Sequence, residues 1–435
     1  MIGSADVLRS DRDDRLLAAA RALVREVAGV LDLDVSVRLW DGSLVPLGRA
    51  VASPLTLTIA DPGVIAGLVR RPTLDRLIRS YAHGRIGIEG GTLIDLGLTT
   101  GSEEARARFK RFSLRRLIRH LLPFLTVAAD AGTRTREFAA GKGGDSAYIQ
   151  FHYDVGNDFY RLFLDPQMVY SCAYFTEWPQ SLEQAQSDKL DMICRKLRLQ
   201  PGERFLDIGC GWGALICHAA VRYDVTAHGI TLSKEQAAFA RSKIAAMGLD
   251  GRVTVALQDY RDVTGTYDKI ASIGMYEHIG RANISGYMTT VRRALSDRGL
   301  FLNHAISRRA KQRQRRFGAR PEQRALLKYI FPGGELDDIG HTVAAMEQAG
   351  FEVYDVEGWR WHYALTTRHW CERLYANRDK AEALVGAPVV RLWLAYLAGC
   401  SLAFQRGSAR IFQTLAGKSA KGLPPVPPTR ADLYR

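Results

Sequence analysis

Several things are missing from this sequence, and each absence narrows what it can be. Its six cysteines include no Cys-x-x-Cys pair and no Cys/His cluster at metal-ligand spacing. That excludes a zinc-held or disulfide-stapled scaffold and leaves reduced thiols and no metal as the expectation. The longest apolar run, Leu392 to Phe404, is closed by Arg391 and Arg406. It falls short of the roughly 20 apolar residues that a spanning helix needs. Met1 to Leu17 carries Asp and Arg where a secretory signal has its apolar core, so a cytoplasmic protein is expected. There is no internal repeat. Acidic residues are too few to balance the basic ones: 46 Asp and Glu stand against 60 Lys and Arg, a net charge of +14. Such an excess implies an anionic partner, nucleic acid or an acidic lipid surface. No Asp/Asn-Pro-Pro-Tyr/Phe signature of nucleic-acid amino methylation is present, and no nucleic-acid partner is expected. One basic run, Arg106 to Arg119, is interleaved with Phe109, Phe112, Leu114, Leu117 and Ile118. That pattern suits an amphipathic helix at a bilayer interface, or equally a solvated helix packed on its own domain.

The most informative stretch that is present runs from Phe205 to Gly213, Phe-Leu-Asp-Ile-Gly-Cys-Gly-Trp-Gly. It reads as a buried strand entering a glycine turn that opens a helix over Ala214 to Arg222. Glycines at alternate positions let a ligand lie against bare backbone. The first helical turn offers unpaired N–H groups and a positive dipole end. A dinucleotide site would carry Gly-x-Gly-x-x-Gly and an acidic residue at the end of the next strand. Here Val225 to Ile230 ends in Thr231-Leu232-Ser233, with Gln236 beyond. That disfavours a nicotinamide oxidoreductase and favours S-adenosylmethionine. Two further strands are expected. Val253 to Leu257 ends in Gln258-Asp259-Tyr260-Arg261, and Lys269 to Ile273 ends in Gly274-Met275-Tyr276-Glu277-His278. Asp259 is expected to accept from an adenine amine, and Tyr260 or Arg261 to cover its ring. Polar groups at successive strand ends are where open α/β sheets bind ligands.

Three regions are expected. Residues 1–125 form an N-terminal α+β unit, 126–147 a Gly/Ala/Thr-rich linker, and 148–435 the catalytic domain. In the first region Val35 to Leu39, Pro54 to Ile59 and Ile86 to Glu89 read as strands, and Val64 to Leu68 and Leu74 to Ala82 as helices. In the last region the nucleotide core spans about Pro201 to Ile306. A helix over Leu336 to Ala349, a strand over Phe351 to Val356 and long helices to about Leu415 follow. Leu423 to Pro428 reads as an extended tail.

Around this core lie six separated motifs: Phe151-His152-Tyr153-Asp154, Tyr170-Ser171-Cys172-Ala173-Tyr174, Tyr276-Glu277-His278, Asn303-His304-Ala305-Ile306, Phe331-Pro332-Gly333-Gly334 and His362-Tyr363. Singly they are weak: Cys172 could be a small buried hydrophobe, His304 a core residue, Glu277 a helix cap. Together, in this order, they resemble the cyclopropane-fatty-acyl-phospholipid synthases, the family that includes the mycolic acid cyclopropane synthases.

The resemblance implies a Rossmann-like class I S-adenosylmethionine methyltransferase core with a helical lipid-binding cap, plus a small N-terminal α+β domain like a lipid carrier. It implies transfer of a methylene group to the cis double bond of unsaturated phospholipid acyl chains, through a carbocation deprotonated by bound bicarbonate. Carried over by motif, the bicarbonate holders are Cys172, Glu277, His304, Ile306 through its backbone, and Tyr363, with Tyr153 lining the cation site. Tyr170, Ser171, Asp207, Gly209, Gly211, Thr231, Leu232, Gln236, Gln258, Asp259, Tyr260 and Arg261 fall where the cofactor is held. A homodimer lying peripherally on the inner, anionic membrane face is implied. The basic stretch Arg308 to Arg316 is then expected to dock a headgroup. The alternative outcome with the same cofactor is a methyl-branched or methylene product.

Overall fold

The computed structural model describes residues 4–101, 107–108, 117–128, 155–310, 335–419 and 421–434. Tyr153, most of the 126–147 linker, most of both basic runs and the Phe331–Gly334 turn lie outside the described residues. The chain divides into two compact units. Among the described residues, one gathers the N-terminal third and Arg378–Leu402, and the other the remainder. The boundary therefore differs from the expected single catalytic block of 148–435, because a helical excursion late in the chain clusters with the first unit.

In that first unit a long helix, Ser4–Leu31, precedes four strands: β1 (Ser36–Arg38), β2 (Leu44–Pro46), β3 (Thr56–Ile59) and β4 (Ile86–Glu89). They form one sheet in the order β2-β1-β3-β4, with β1 and β3 parallel. Neither the helix nor β2 was expected. The helix is only weakly amphipathic in sequence, and β2 has one buried residue, Val45, in three. Helix starts follow capping chemistry. Asp61 accepts from the Gly63 N–H with Pro62 at the first helical position, and Thr92 and Asp95 cap each other reciprocally. Leu16, Ala20, Val24, Val37, Leu39, Ile65 and Phe124 make its core.

The second unit holds a sheet of seven strands: β5 (Arg204–Ile208), β6 (Thr226–Thr231), β7 (Val253–Leu257), β8 (Tyr267–Ile273), β9 (Leu295–Arg308), β10 (Phe351–Gly358) and β11 (Ala409–Lys418). Their order is β10-β11-β9-β8-β5-β6-β7. The five central and outer strands from β9 to β7 run parallel, while β11 is antiparallel to both β9 and β10. Helices cover both faces, so β5 reads as Phe205-Leu206-Asp207-Ile208, buried throughout, rather than as an alternation. The order reverses beside β5, the place where such sheets bind ligands.

Two expectations fail near the end of the chain. Helices occupy Arg360–Ala376, Arg378–Val385 and Ala387–Gln405, but helix does not persist to Leu415. Gly407 turns the chain at φ +69° and Ala409–Lys418 inserts as β11. Ile411, Phe412, Leu415 and Ala416 recur at helical spacing, but pairing with β9 and β10 on either side makes this segment a strand. The run Leu392–Phe404 also belongs to a longer helix than its apolar limits suggest. Ala387–Gln405 has 19 residues and a mean hydropathy of 1.5 in its most apolar window, of which 44% is buried. By length and composition it could cross a membrane, and a buried core helix passes the same test. Past the proline tail, Ala431–Tyr434 forms a 3-10 turn with Leu433 buried, and the Leu433 carbonyl accepts from Arg195 at 3.2 Å.

Candidate active site

A cleft opens at the carboxyl ends of β5, β6, β7 and β8. It is lined by ten of the expected cofactor residues, namely Tyr170, Ser171, Asp207, Gly209, Gly211, Thr231, Leu232, Gln236, Gln258 and Tyr260. Gly211 sits at φ +53° with nothing within 4 Å of where a Cβ would stand, so it presents bare backbone to the cleft. Gly213, at φ +82°, serves packing instead: a Cβ there would meet Ala240 Cβ at 3.1 Å. Asp207 is buried, and its Oδ1 has no hydrogen-bond partner among the described residues. Burial pushes its carboxyl up to about 7, against the pull of Lys189. Lys189 is itself buried and donates to Ser171 Oγ at 2.9 Å. Desolvation lowers its ammonium to about 8, with Asp165 opposing. At the end of β6, Thr231 Oγ1 donates to Gln236 Oε1 at 2.8 Å, which holds the helix Lys234–Ala246 over the cleft.

Asp259 and Arg261 do not line this cleft. Asp259 instead caps a 3-10 turn, its Oδ1 accepting from the Arg261 N–H at 2.9 Å. The Arg261 guanidinium lies 5.4 Å from the Tyr260 ring centroid.

Three of the five expected anion-holding residues, His304, Ile306 and Tyr363, lie along β9 and the start of the helix Arg360–Ala376. His304 and Ile306 share one face of β9, two residues apart. Glu277 enters from the turn after β8, and its Oε1 accepts from the Ile306 N–H at 2.6 Å. The Ile306 N–H is therefore directed at Glu277. That bond leaves Glu277 Oε2 buried and without a partner among the described residues. Burial raises this carboxyl to about 7. Three of the five converge on Trp359. Cys172 Sγ lies 3.9 Å from the Trp359 carbonyl, the Tyr363 N–H donates to that carbonyl at 3.1 Å, and the His304 ring meets the Trp359 ring edge-on at 5.4 Å. Burial keeps the Cys172 thiol well above its usual range and His304 well below its own. A protonated thiol and a neutral imidazole result.

A wall of aromatic rings joins the two halves. Trp212 of the glycine loop contacts Tyr160 at 5.0 Å, Tyr160 contacts Tyr170 at 5.3 Å, and Tyr170 contacts Trp370 at 5.0 Å. Trp370 reaches Tyr363 at 6.1 Å. The wall is stabilised by edge and tilted ring contacts. Among the described residues no three His, Cys, Asp or Glu side chains converge to hold a metal ion.

Comparison with known proteins decides what this arrangement belongs to. The sequence pattern of the mycolic acid cyclopropane synthetase family matches residues 142–414. The chain belongs to this family. It is 40% identical over 408 residues, 93% of this chain and 97% of the relative, to a probable fatty acid methyltransferase of Pseudomonas putida. It is 38% identical over 270 residues to the cyclopropane-fatty-acyl-phospholipid synthase of Escherichia coli, covering 62% of this chain and 67% of that protein. Among solved structures, a cyclopropane synthase from Mycobacterium tuberculosis superposes with a TM-score of 0.60 at 33% identity. It covers 63% of this chain and 98% of that one. A mycolic acid cyclopropane synthase complexed with SAH and CTAB matches at TM-score 0.60 and 35% identity, over 63% of this chain and 98% of that one.

As a family member the protein is an S-adenosylmethionine-dependent methyltransferase with the Rossmann-like fold of that class. The cleft fits the cofactor on its own terms. It has an unpartnered buried carboxylate oxygen at Asp207, bare backbone at Gly211 and the open N-terminus of the helix Ala214–Tyr223.

Several residues of the site went unforeseen. Lys189, Lys196, Trp359 and Gln413 carry no motif. Yet Leu182, Gln186, Lys189, Ile193 and Lys196 of the helix Leu182–Leu197 are all buried, at the three- and four-residue spacing of one helix face. Two lysines on the helix face that carries Leu182 and Ile193 were the available signal, since a lysine is almost never fully buried without a partner.

Proposed function

We propose that this enzyme transfers the methyl carbon of S-adenosylmethionine to the cis double bond of unsaturated phospholipid acyl chains and closes it to a cyclopropane, with bicarbonate as proton acceptor. The observation that carries this reading is the aromatic wall running from Trp212 of the glycine loop through Tyr160, Tyr170 and Trp370 to Tyr363. When bound, S-adenosylmethionine supplies an electrophilic sulfonium methyl group. The alkene's π pair forms the new C–C bond to that carbon as the sulfonium departs with its own pair, which leaves a cation on the chain. The faces of Tyr170 and Trp370 stabilise such a cation through their quadrupoles without trapping it. A proton then leaves the added methyl for a base, and the freed C–H pair closes the ring. A bicarbonate would be held by Cys172, Glu277, His304 and Tyr363. In this reading Glu277 Oε2 would accept the anion's O–H and His304 Nε2 would donate to the anion.

A second feature supports the phospholipid part. A groove beside the start of the helix Arg360–Ala376 is lined by Arg309, Arg360, Arg406 and Arg410, with Trp178 and Trp361 and, among the described residues, no acidic one. The two tryptophans are 60% and 46% exposed. Guanidinium groups recognise phosphate oxygens in pairs, and indoles favour the membrane–water interface. This reading sets the enzyme peripherally on the anionic inner membrane face of the cell, as a homodimer engaging the bilayer.

A methyl-branched or methylene product is the second reading. It is favoured by the 40% identity to a protein named a probable fatty acid methyltransferase. Incubating the purified protein with S-adenosylmethionine and vesicles of cis-monounsaturated phospholipid separates the two. A gain of one CH₂ with upfield cyclopropyl protons by NMR establishes ring closure. The same mass with new olefinic or methyl-branch signals selects the second reading, and no gain on any lipid overturns both.

A further inference from the structure

Behind His304 runs a buried chain of polar groups that the reaction as described does not use. Lys196, on the helix Leu182–Leu197, is 1% exposed, as is Gln413 on β11, and His304 on β9 is fully buried. The Lys196 ammonium is ion-paired to Glu357 of β10 and donates to Gln413 Oε1 at 2.7 Å. It also lies 5.1 Å from the Trp359 ring centroid. Gln413 Nε2 stands 2.9 Å from His304 Nδ1. The other ring nitrogen, His304 Nε2, is buried with no partner among the described residues.

The donor inventory of these side chains orients the whole chain. An ammonium has three donors and no acceptor, so only the carbonyl oxygen of Gln413 can face Lys196. The amide's NH₂ must then face His304, and Nδ1 must accept from it. A neutral imidazole whose Nδ1 accepts carries its proton on Nε2. The alternative tautomer would set two N–H groups against each other across 2.9 Å in a buried place, leaving a donor unpaired at a cost of about 1–3 kcal/mol. Desolvation, with Lys189 and Lys196 adding like charge, keeps the ring neutral. Burying an ammonium is itself costly and gains little net stability even when it is paired. Retaining Lys196 there is therefore better explained by what it orients.

We propose that Glu357, Lys196 and Gln413 are positioning residues that lock His304 as its Nε2–H tautomer, so that the ring offers the reaction centre a hydrogen-bond donor and never a base. This deepens the reading of an anion held beside Glu277 and Cys172. His304 steadies that anion, and the substrate's proton must go to the anion itself.

The test uses the full chain labelled with ¹⁵N-histidine, with the His304 signals assigned by their loss in His304→Gln. Two-bond ¹H–¹⁵N correlations report which ring nitrogen is protonated, and they need neither substrate nor turnover. A failure of this proposal is thereby kept apart from a failure of the proposed reaction. The expected result is an unprotonated Nδ1 and a protonated Nε2 in the native enzyme near neutral pH. In Gln413→Met the preference is lost. In Lys196→Arg, still a donor-only partner, it is kept. Turnover should fall roughly ten- to hundredfold in Gln413→Met, as for other residues that orient a histidine from behind, with S-adenosylmethionine affinity unchanged. A protonated Nδ1 in the native enzyme overturns the proposal. So does an Nε2–H tautomer that survives in Gln413→Met with native turnover.

Discussion

Glu277→Gln should make the protein more stable and slow its reaction steeply, and the gain in stability should depend on pH. The replacement is isosteric, and its amide oxygen can still accept from the Ile306 N–H, now held at 2.6 Å. What it removes is a buried negative charge. In the folded protein burial raises the Glu277 carboxyl from 4.5 to about 7. The folded state therefore binds a proton more tightly than the unfolded chain does. At pH 4 the group is protonated in both states and costs almost nothing. As pH rises past the unfolded value, the unfolded chain ionises first and folding stability falls. The loss is complete only above about pH 7, where the folded carboxyl also ionises. At 1.36 kcal/mol per pKa unit, a rise of roughly 2.5 units makes about 3 kcal/mol, most of which accrues between about pH 5 and 8. Gln carries no such cost. Urea denaturation of both proteins at pH 5, 6, 7 and 8, followed by tryptophan fluorescence, should show the variant's advantage widening by about 2 kcal/mol across that range, at constant m. An advantage that is flat with pH, or a variant less stable at every pH, would refute the claim that Glu277 is a destabilising buried acid. Product formation should fall by about 10²-fold or more, the scale seen when a group poised at a reacting anion is removed.

Other outcomes follow from the same geometry. Gly211→Ala should cost only about 1 kcal/mol of stability, from its positive φ. It should weaken S-adenosylmethionine binding in calorimetry by at least tenfold, because the new methyl enters the cleft and meets no protein atom within 4 Å. Native Cys172 should resist iodoacetamide at pH 8, since burial holds the thiol protonated, and peptide mass spectrometry should find it alkylated only after denaturation. Arg309→Gln with Arg410→Gln should weaken binding to phosphatidylglycerol vesicles severalfold in sedimentation assays and flatten its salt dependence. S-adenosylmethionine affinity should be unchanged, and equal binding by the variant would remove the groove from the lipid interface.

The sequence made the parallel half of the large sheet legible. Its strands end in glycine or polar turns, and its helices announce themselves with caps such as Ser233. The site was legible wherever chemistry leaves a local signature, as at Gly209 to Gly213 or Tyr276 to His278. It was illegible where the signature is carried by partners far apart in the chain. Gln413 gains its meaning only from Lys196 and His304, 217 and 109 positions away. Asp259 carries a second, local meaning for the opposite reason. It sits at a strand end, where ligands bind, and an Asp two residues before an amide is equally a local cap, here with Oδ1 accepting from the Arg261 N–H. β11 was misread because Ile411, Phe412, Leu415 and Ala416 recur at the four-residue spacing of a helix face and not in strand alternation.

The placement of β11 bears on how the enzyme comes into being during synthesis. Its residues emerge from the ribosome about a hundred positions after β9 ends at Arg308. Yet they must slide between β9 and β10, strands already made. Until then β9 has an open edge on the side that will carry Gln413, and His304 lacks the neighbour that sets its proton. The cofactor cleft can fold early while the acid–base half stays unfinished. A nascent or truncated chain ending before Ala409 would hold the methyl donor without the means to complete the reaction.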